Sequence, residues 1–247
     1  MAKTSRQTKR TRRRTRRAGG LARRLLQLGA LILLAAMAYA GWFWHEMRTW
    51  RPDEALYPEQ GAVIASGASG IRFETLKATG AAFVYLELAP AGAPPDPGFR
   101  ARLRAAKASG LKVGILQPFN PCFRADPQSA RFTRMVARDP ELLPAGLALT
   151  QLPDQCEPSV SGAAVMSEVL TLVNQMEMHA GQPVILKLGK AFETRFRLAD
   201  ALDRDIWLAR DGFLPRYAQR PWLLWSANRQ MVSEASAQPV EWVVVQR

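Results

Sequence analysis

Histidine and cysteine are almost missing from this chain, with two of each in 247 residues. Neither His45 nor His179 belongs to a metal-ligand spacing, so no zinc site is expected. His45 stands beside an apolar run, and His179 lies near a helix end, where an imidazolium is favoured. There is no glycine-rich phosphate loop and no nucleophile elbow, which removes two large enzyme classes. No cofactor is expected, and Met166, Met176 and Met178 read as helix packing rather than a cofactor box. Internal repeats and low-complexity tracts are also lacking, which excludes a solenoid. Acidic residues are absent from the first 44 positions, and that absence is the most informative.

What fills those 44 positions is cationic and then apolar. Residues 1–24 carry eleven of the chain's 34 Lys and Arg residues. Residues 25–44 form a twenty-residue apolar stretch whose one strongly polar member is Gln27. At about 1.5 Å per residue, a helix of that length spans the ~30 Å hydrocarbon layer of a bilayer. Trp42, Phe43 and Trp44 close it with rings suited to a membrane–water boundary. Charge on one flank alone predicts a cytoplasmic head and an exported body. The expected location is a bacterial inner membrane crossed once, with the remainder in the periplasm. Ala38-Tyr39-Ala40 has the small-x-small form of a cleavage site, so a cleaved signal peptide is the competing reading. The length of the run and the aromatics after that site favour retention. Paired arginines such as Arg16-Arg17 lack the flanking pattern of a twin-arginine signal.

The formal charge of +13 therefore describes the head. Beyond residue 24 the chain has 23 basic and 21 acidic residues, so the body is nearly neutral. No nucleic-acid partner is expected; the cytoplasmic membrane is, through anionic headgroups on the head's side. Residues 45–60 read as a linker containing Pro52 and Pro58, and residues 61–247 as one domain. In an exported domain Cys122 and Cys156 predict a disulfide closing a loop of about 35 residues, contributing roughly 3–4 kcal/mol. The alternative is two unrelated buried thiols.

Short runs dense in Val, Ile, Leu and aromatics predict eight strands, at 62–66, 82–88, 112–116, 146–152, 183–188, 205–210, 222–226 and 240–246. Helical patterns occupy 69–79, 98–109, 127–137, 160–180 and 192–202, several ending at a glycine. The class is α/β. The order predicts an incomplete (β/α)8-type, TIM-like barrel of five βα units and three further strands, preceded by one transmembrane helix. An open doubly wound sheet is the runner-up. In such barrels the reactive groups stand at the C-terminal ends of the strands.

From Gly61 onward the chain resembles glycoside hydrolase family 25, the lysozymes or N-acetylmuramidases. The resemblance rests on Gly80-Ala81-Ala82-Phe83-Val84, Asp96 with Phe99, Ala106-Lys107-Ala108-Ser109-Gly110-Leu111, Gly114, Leu143-Pro144, Gln182-Pro183-Val184, Trp207 with Ala209, and Trp225. It implies a barrel of five βα units with three further strands, peptidoglycan as substrate class, and a cysteine pair seen in some members. The positions that carry the family's chemistry differ. Val63 stands for the Asp of the first strand. Ala148 and Thr150 stand for the Asp-x-Glu of the fourth, and Gly114-Ile115-Leu116-Gln117-Pro118 for Gly-x-Tyr-His-Phe. Trp225-Ser226-Ala227 replaces Trp-Gln-Tyr, and Glu241 stands where an Asp is usual.

Glycoside hydrolysis needs an acid for the leaving oxygen and a second group to stabilise the oxocarbenium-like transition state. Neither Ala148 nor Thr150 supplies one, so no catalytic residue is assigned and a pseudoenzyme is expected. Its partner would be peptidoglycan glycan strands or a cell-envelope protein. The candidate binding residues are Gln117, Lys187 and Trp225. Two alternatives remain: an active muramidase using the fallback carboxylates Glu87 and Glu241, or a structural interaction module. Glu87 reads first as an ion-pair partner, with Lys187 at the end of the fifth strand, and Asp154 and Glu157 as a solvated loop beside the cysteines. Trp222, Trp225 and Trp242 are either core or a sugar-stacking platform.

Overall fold

The computed structural model describes residues 12–246, so the first eleven residues of the basic head lie outside the described residues. The chain divides into two compact units between Met47 and Arg48. Helix α1, Arg12–Thr49, covers the described part of the first unit and ends two residues into the second. It runs past the predicted 25–44 at both ends, where Arg on the first flank and Glu46, Met47 and Arg48 on the second form helix readily and no proline occurs before Pro52. Residues 23–49 are long and apolar enough to cross a membrane, and the apolar stretch is not buried within the protein.

The second unit is a closed eight-stranded barrel. The strands are β1 Gln60–Ile64, β2 Phe83–Glu87, β3 Lys112–Pro118, β4 Gly146–Leu149, β5 Ile185–Leu188, β6 Ile206–Ala209, β7 Leu224–Met231 and β8 Val240–Val245. Helices α2 Phe73–Ala78, α3 Phe99–Ala108, α4 Ala125–Met135 and α5 Gly162–Ala180 follow the first four strands, and α6 Lys190–Phe196 with α7 Leu198–Ala201 follows β5. Among the described residues no α-helix lies between β6 and β8. Neighbouring strands from β1 to β7 pair in parallel. The barrel closes through β8, which is antiparallel to both β7 and β1. Closure rules out the open sheet, and the antiparallel β8 falls among the three closing strands that the sequence leaves without helical units. With only eight residues between β7 and β8 and no helix among them, the chain returns as a hairpin.

Local chemistry explains the elements. Helix α5 begins at Ser161, whose hydroxyl accepts the Ala164 N–H at 3.2 Å, and ends at Gly181 with φ of +76°. Its predicted stripe of Val165, Val169, Leu172, Val173 and Met176 is buried against the sheet's outer layer. Each such side chain contributes roughly 1.5–3 kcal/mol. The helix predicted over 192–202 is broken at Arg197, which adopts φ of +50°. The buried Glu193 carboxylate lies in that break and accepts the Ala199 N–H at 3.2 Å, capping α7.

Alternation along the strands sorts residues to two sides. One set, including Val84, Leu86, Ile115, Leu147, Leu186 and Leu208, packs outward under the helices. The other fills the barrel: Val63, Phe83, Tyr85, Leu116, Ala148, Ile185, Trp207, Leu224 and Val243. Two large rings dominate the interior, Tyr85 and Trp207, with centroids 5.0 Å apart and edges to faces. They fit because Gly114 faces them; a Cβ there would stand 2.4 Å from the Tyr85 ring. Tyr85 donates its hydroxyl to the Pro144 carbonyl at 3.0 Å, and burial holds the phenol well above its ordinary pKa.

Candidate functional site

Moving two residues along β2 from Tyr85 reaches Glu87, and two along β5 from Ile185 reaches Lys187. The period of two keeps both in the inward set, now at the C-terminal ends of the strands. Because β8 runs antiparallel, Glu241, its second residue, arrives at the same end. These three line an open cavity of about 970 Å³ at the barrel mouth.

A closed circuit of polar contacts forms its floor. Lys187 Nζ lies 2.6 and 2.7 Å from the two carboxylate oxygens of Glu241. The Ser226 hydroxyl, fully buried on β7, donates to Glu241 Oε1 and accepts the Trp207 indole N–H at 2.7 Å. The Lys187 ammonium in turn stands 4.7 Å above the Trp207 ring. Each member thus fixes the next, and a pair so nearly buried is held by hydrogen bonds as well as charge.

Glu87 stands outside that circuit. The ion pair expected between Glu87 and Lys187 is corrected: Lys187 pairs with Glu241, whose carboxylate is pinned by Ser226. Burial pushes the Glu87 carboxyl above its ordinary pKa, and the charge of Glu241 adds to this; Lys187 and the Ser66 N–H oppose them.

The rim is built by residues 210–217, after β6. Tyr217 pins it, its hydroxyl donating to the Leu188 carbonyl at 2.6 Å and accepting the Ala209 N–H at 2.9 Å. Asp211 binds the Arg229 guanidinium of β7 at 2.7 Å. Across the molecule the Cys122–Cys156 disulfide is formed, tying the loop after β3 to the loop after β4. Asp96 joins two more loops by accepting the N–H groups of Gly67 and Gly98 and pairing with Arg102. Burial raises its carboxyl; Arg102 and the two N–H groups outweigh this and leave it below its usual range.

The positions where the family resemblance asks for acids are all on this end of the barrel. Val63 is sealed in the interior, beside Glu241 in the strand register. Ala148 and Thr150 line the mouth, and Ala148 is the register neighbour of Lys187. An ammonium therefore stands next to the strand position from which a proton donor would act. Of the candidate binding residues only Lys187 reaches the mouth. Gln117 belongs by alternation to the outward set and does not line the cavity; fully buried, it donates to the Pro118 carbonyl and has an unpartnered Oε1. Trp225 is also outward, packed among Trp50, Tyr57 and Trp222, with its indole N–H on the Arg210 carbonyl. Trp242 is buried and donates to Gln60, so no sugar platform of these rings stands in the mouth. Asp154 pairs with Arg195 on the surface at 2.6 Å. Among the described residues no group of three metal-ligating side chains occurs. Ser226, Arg229 and Asp211 were not singled out from sequence; Ser226 alone had a signal, its place beside the Trp225 motif.

The chain matches no protein-family model, and no curated protein matches it in sequence. Its structure is nevertheless similar to solved ones. A family 25 glycosyl hydrolase from Bacillus anthracis superposes with a TM-score of 0.70 at 19% identity, over 80% of this chain and 92% of that one. A lysozyme from Streptomyces coelicolor gives 0.66 at 16% identity, over 76% and 92%. A spore cortex lytic enzyme from Clostridium perfringens gives 0.63 at 16% identity, over 79% and 69%. At such identities the likeness is one of fold, and it is the fold of the family 25 lysozymes that this barrel has.

Proposed function

We propose that this chain is a membrane-anchored, catalytically degenerate member of the lysozyme-like barrels, which binds peptidoglycan glycan at its mouth without cleaving it. The reading places residues 1–24 in the cytoplasm, the helix over 25–44 in the inner membrane as a retained anchor, 45–60 as a linker and the barrel of residues 61–247 in the periplasm. What carries it is the circuit on the cavity floor. The carboxylate of Glu241 is taken up by Lys187 and Ser226, while Ala148 and Thr150 leave the neighbouring strand end without an acid. A missing general acid costs about 10² to 10⁴ in rate, and here the partner carboxylate is neutralised as well.

A second reading has one observation in its favour. Glu87 shares the mouth with Glu241, and its carboxyl is raised by burial, as a proton donor requires. Incubating the full-length chain with purified peptidoglycan separates the two. We expect retention on the insoluble glycan and no release of reducing ends. Release that Glu87→Gln abolishes overturns the degenerate reading in favour of a glycosidase. Absence of retention at both low and moderate salt leaves a protein-interaction module.

A further inference from the structure

The mouth cavity carries more positive charge than its acids use. Five cationic side chains line it, Lys187, Lys190, Arg210, Arg216 and Arg229, against Glu87, Asp211 and Glu241. Lys187 and Arg229 are committed to Glu241 and Asp211. Among the described residues Lys190, Arg210 and Arg216 have no carboxylate partner.

A second cavity, of about 470 Å³, adjoins the first on the other side of residues 210–217. Its character is different. Trp50, Leu56, Tyr57, Phe213, Leu214 and Trp225 line it, with Asp53 as its one acid; Leu56 and Phe213 are largely exposed to solvent and Leu214 is partly so. The two cavities share Arg210 and Arg216. Arg210 is tied to the apolar side three times: its carbonyl accepts the Trp225 indole N–H at 2.9 Å, and its guanidinium donates to the Leu214 carbonyl at 3.1 Å and lies 5.2 Å over the Phe213 ring. Two guanidiniums thus stand at a boundary between a polar, cation-lined chamber and an aromatic groove.

We propose that the two cavities form one site for an amphiphile with an anionic, phosphate-class head: the head on Arg210 and Arg216 with its polar substituent in the mouth, the apolar tail in the aromatic groove. Arginine presents paired donors that match a phosphate, and exposed Phe and Leu side chains gain by covering an alkyl or isoprenoid chain. Each chamber lies within the size range that ordinarily holds a small ligand. On the anchored reading proposed above, residues 50–57, which supply one wall of the groove, follow the membrane helix directly in sequence. The inference rests on the mouth being a binding site, and names the class of ligand it takes.

The test uses the full-length chain in phosphatidylcholine nanodiscs, titrated separately with farnesyl pyrophosphate, farnesol and inorganic pyrophosphate and corrected for empty discs. Farnesyl pyrophosphate is expected to bind saturably and at least about tenfold more tightly than either component. Arg210→Gln with Arg216→Gln removes that advantage, and Phe213→Ser with Leu214→Ser lowers the affinity to that of pyrophosphate. Equal affinity for pyrophosphate and farnesyl pyrophosphate overturns the proposal in favour of a simple anion site. Binding no stronger than to empty discs overturns it altogether. Retention on peptidoglycan without farnesyl pyrophosphate binding defeats this inference and leaves the glycan reading standing. Farnesyl pyrophosphate binding by a chain that also cleaves peptidoglycan does the reverse.

Discussion

Tyr85 and Glu87 are two residues apart on the same face of the same strand, as are Ile185 and Lys187, yet each pair spans two regimes. In the interior, Phe83, Tyr85, Ile185 and Trp207 fill space around a glycine and are held mainly by shape, with one hydrogen bond each from Tyr85 and Trp207. At the mouth, Lys187, Glu241 and Ser226 are held by donors and acceptors that must all be satisfied together. Packing tolerates substitution of similar volume; a polar circuit near burial tolerates only joint removal of its members. On the reading proposed above, the difference lets the mouth change its reactive groups while the barrel beneath keeps the lysozyme-like fold.

The sharpest way to break that contrast is at Lys187. Lys187→Met leaves Glu241 largely buried with one hydroxyl partner, and should cost about 3 kcal/mol in urea denaturation. The double change Lys187→Met with Glu241→Leu should lie within about 1 kcal/mol of the parent. A single change as mild as the double would mean that the circuit is not coupled.

Gly114→Ala probes the interior. The added methyl meets the Tyr85 ring, which the Pro144 carbonyl and Trp207 hold in place, so a loss of about 2 kcal/mol is expected. The loss should not vary between pH 5 and 8, since the contacts it disturbs are packing contacts; a pH-dependent loss would contradict packing as the cause.

The smallest effect belongs to Glu87. Its carboxyl is raised in the folded state, so the protonated form is favoured there, and its contribution to stability is present below the unfolded value near 4.5 and lost as pH rises through the folded one. Glu87→Gln should therefore be slightly more stable than the parent at neutral pH and indistinguishable from it below pH 4.5. A destabilised Gln variant at neutral pH would show that the carboxylate is paired in a way the geometry does not contain.

Much of this was legible in the chain. The eight strands fall where dense apolar runs place them, because a strand buried on both faces leaves little else to choose. The stripe on α5 and its glycine stop are read directly from period and punctuation. The antiparallel β8 was not, since alternation reports which face is buried and says nothing of direction. The site was half legible. Glu87, Lys187 and Glu241 were singled out as individuals, but Lys187 was paired with the wrong acid, because linear order carries no distance across a barrel. Gln117 and Trp225 read from sequence as candidate binding residues, yet the parity of their strands turns both outward and away from the mouth.

The sequence by itself determined the two extremes of the chain's chemistry: an apolar helix able to cross a membrane, headed by basic charge without acid, and a nearly neutral body with no acid at Ala148 or Thr150. These are matters of composition and position along one strand of text. Only the tertiary structure decided which charges neutralise one another, that Ser226 completes their circuit, and that Arg210 and Arg216 stand between a polar chamber and an aromatic groove. Those facts depend on strands β5, β7 and β8 meeting across a closed barrel, and closure brings together side chains more than fifty residues apart.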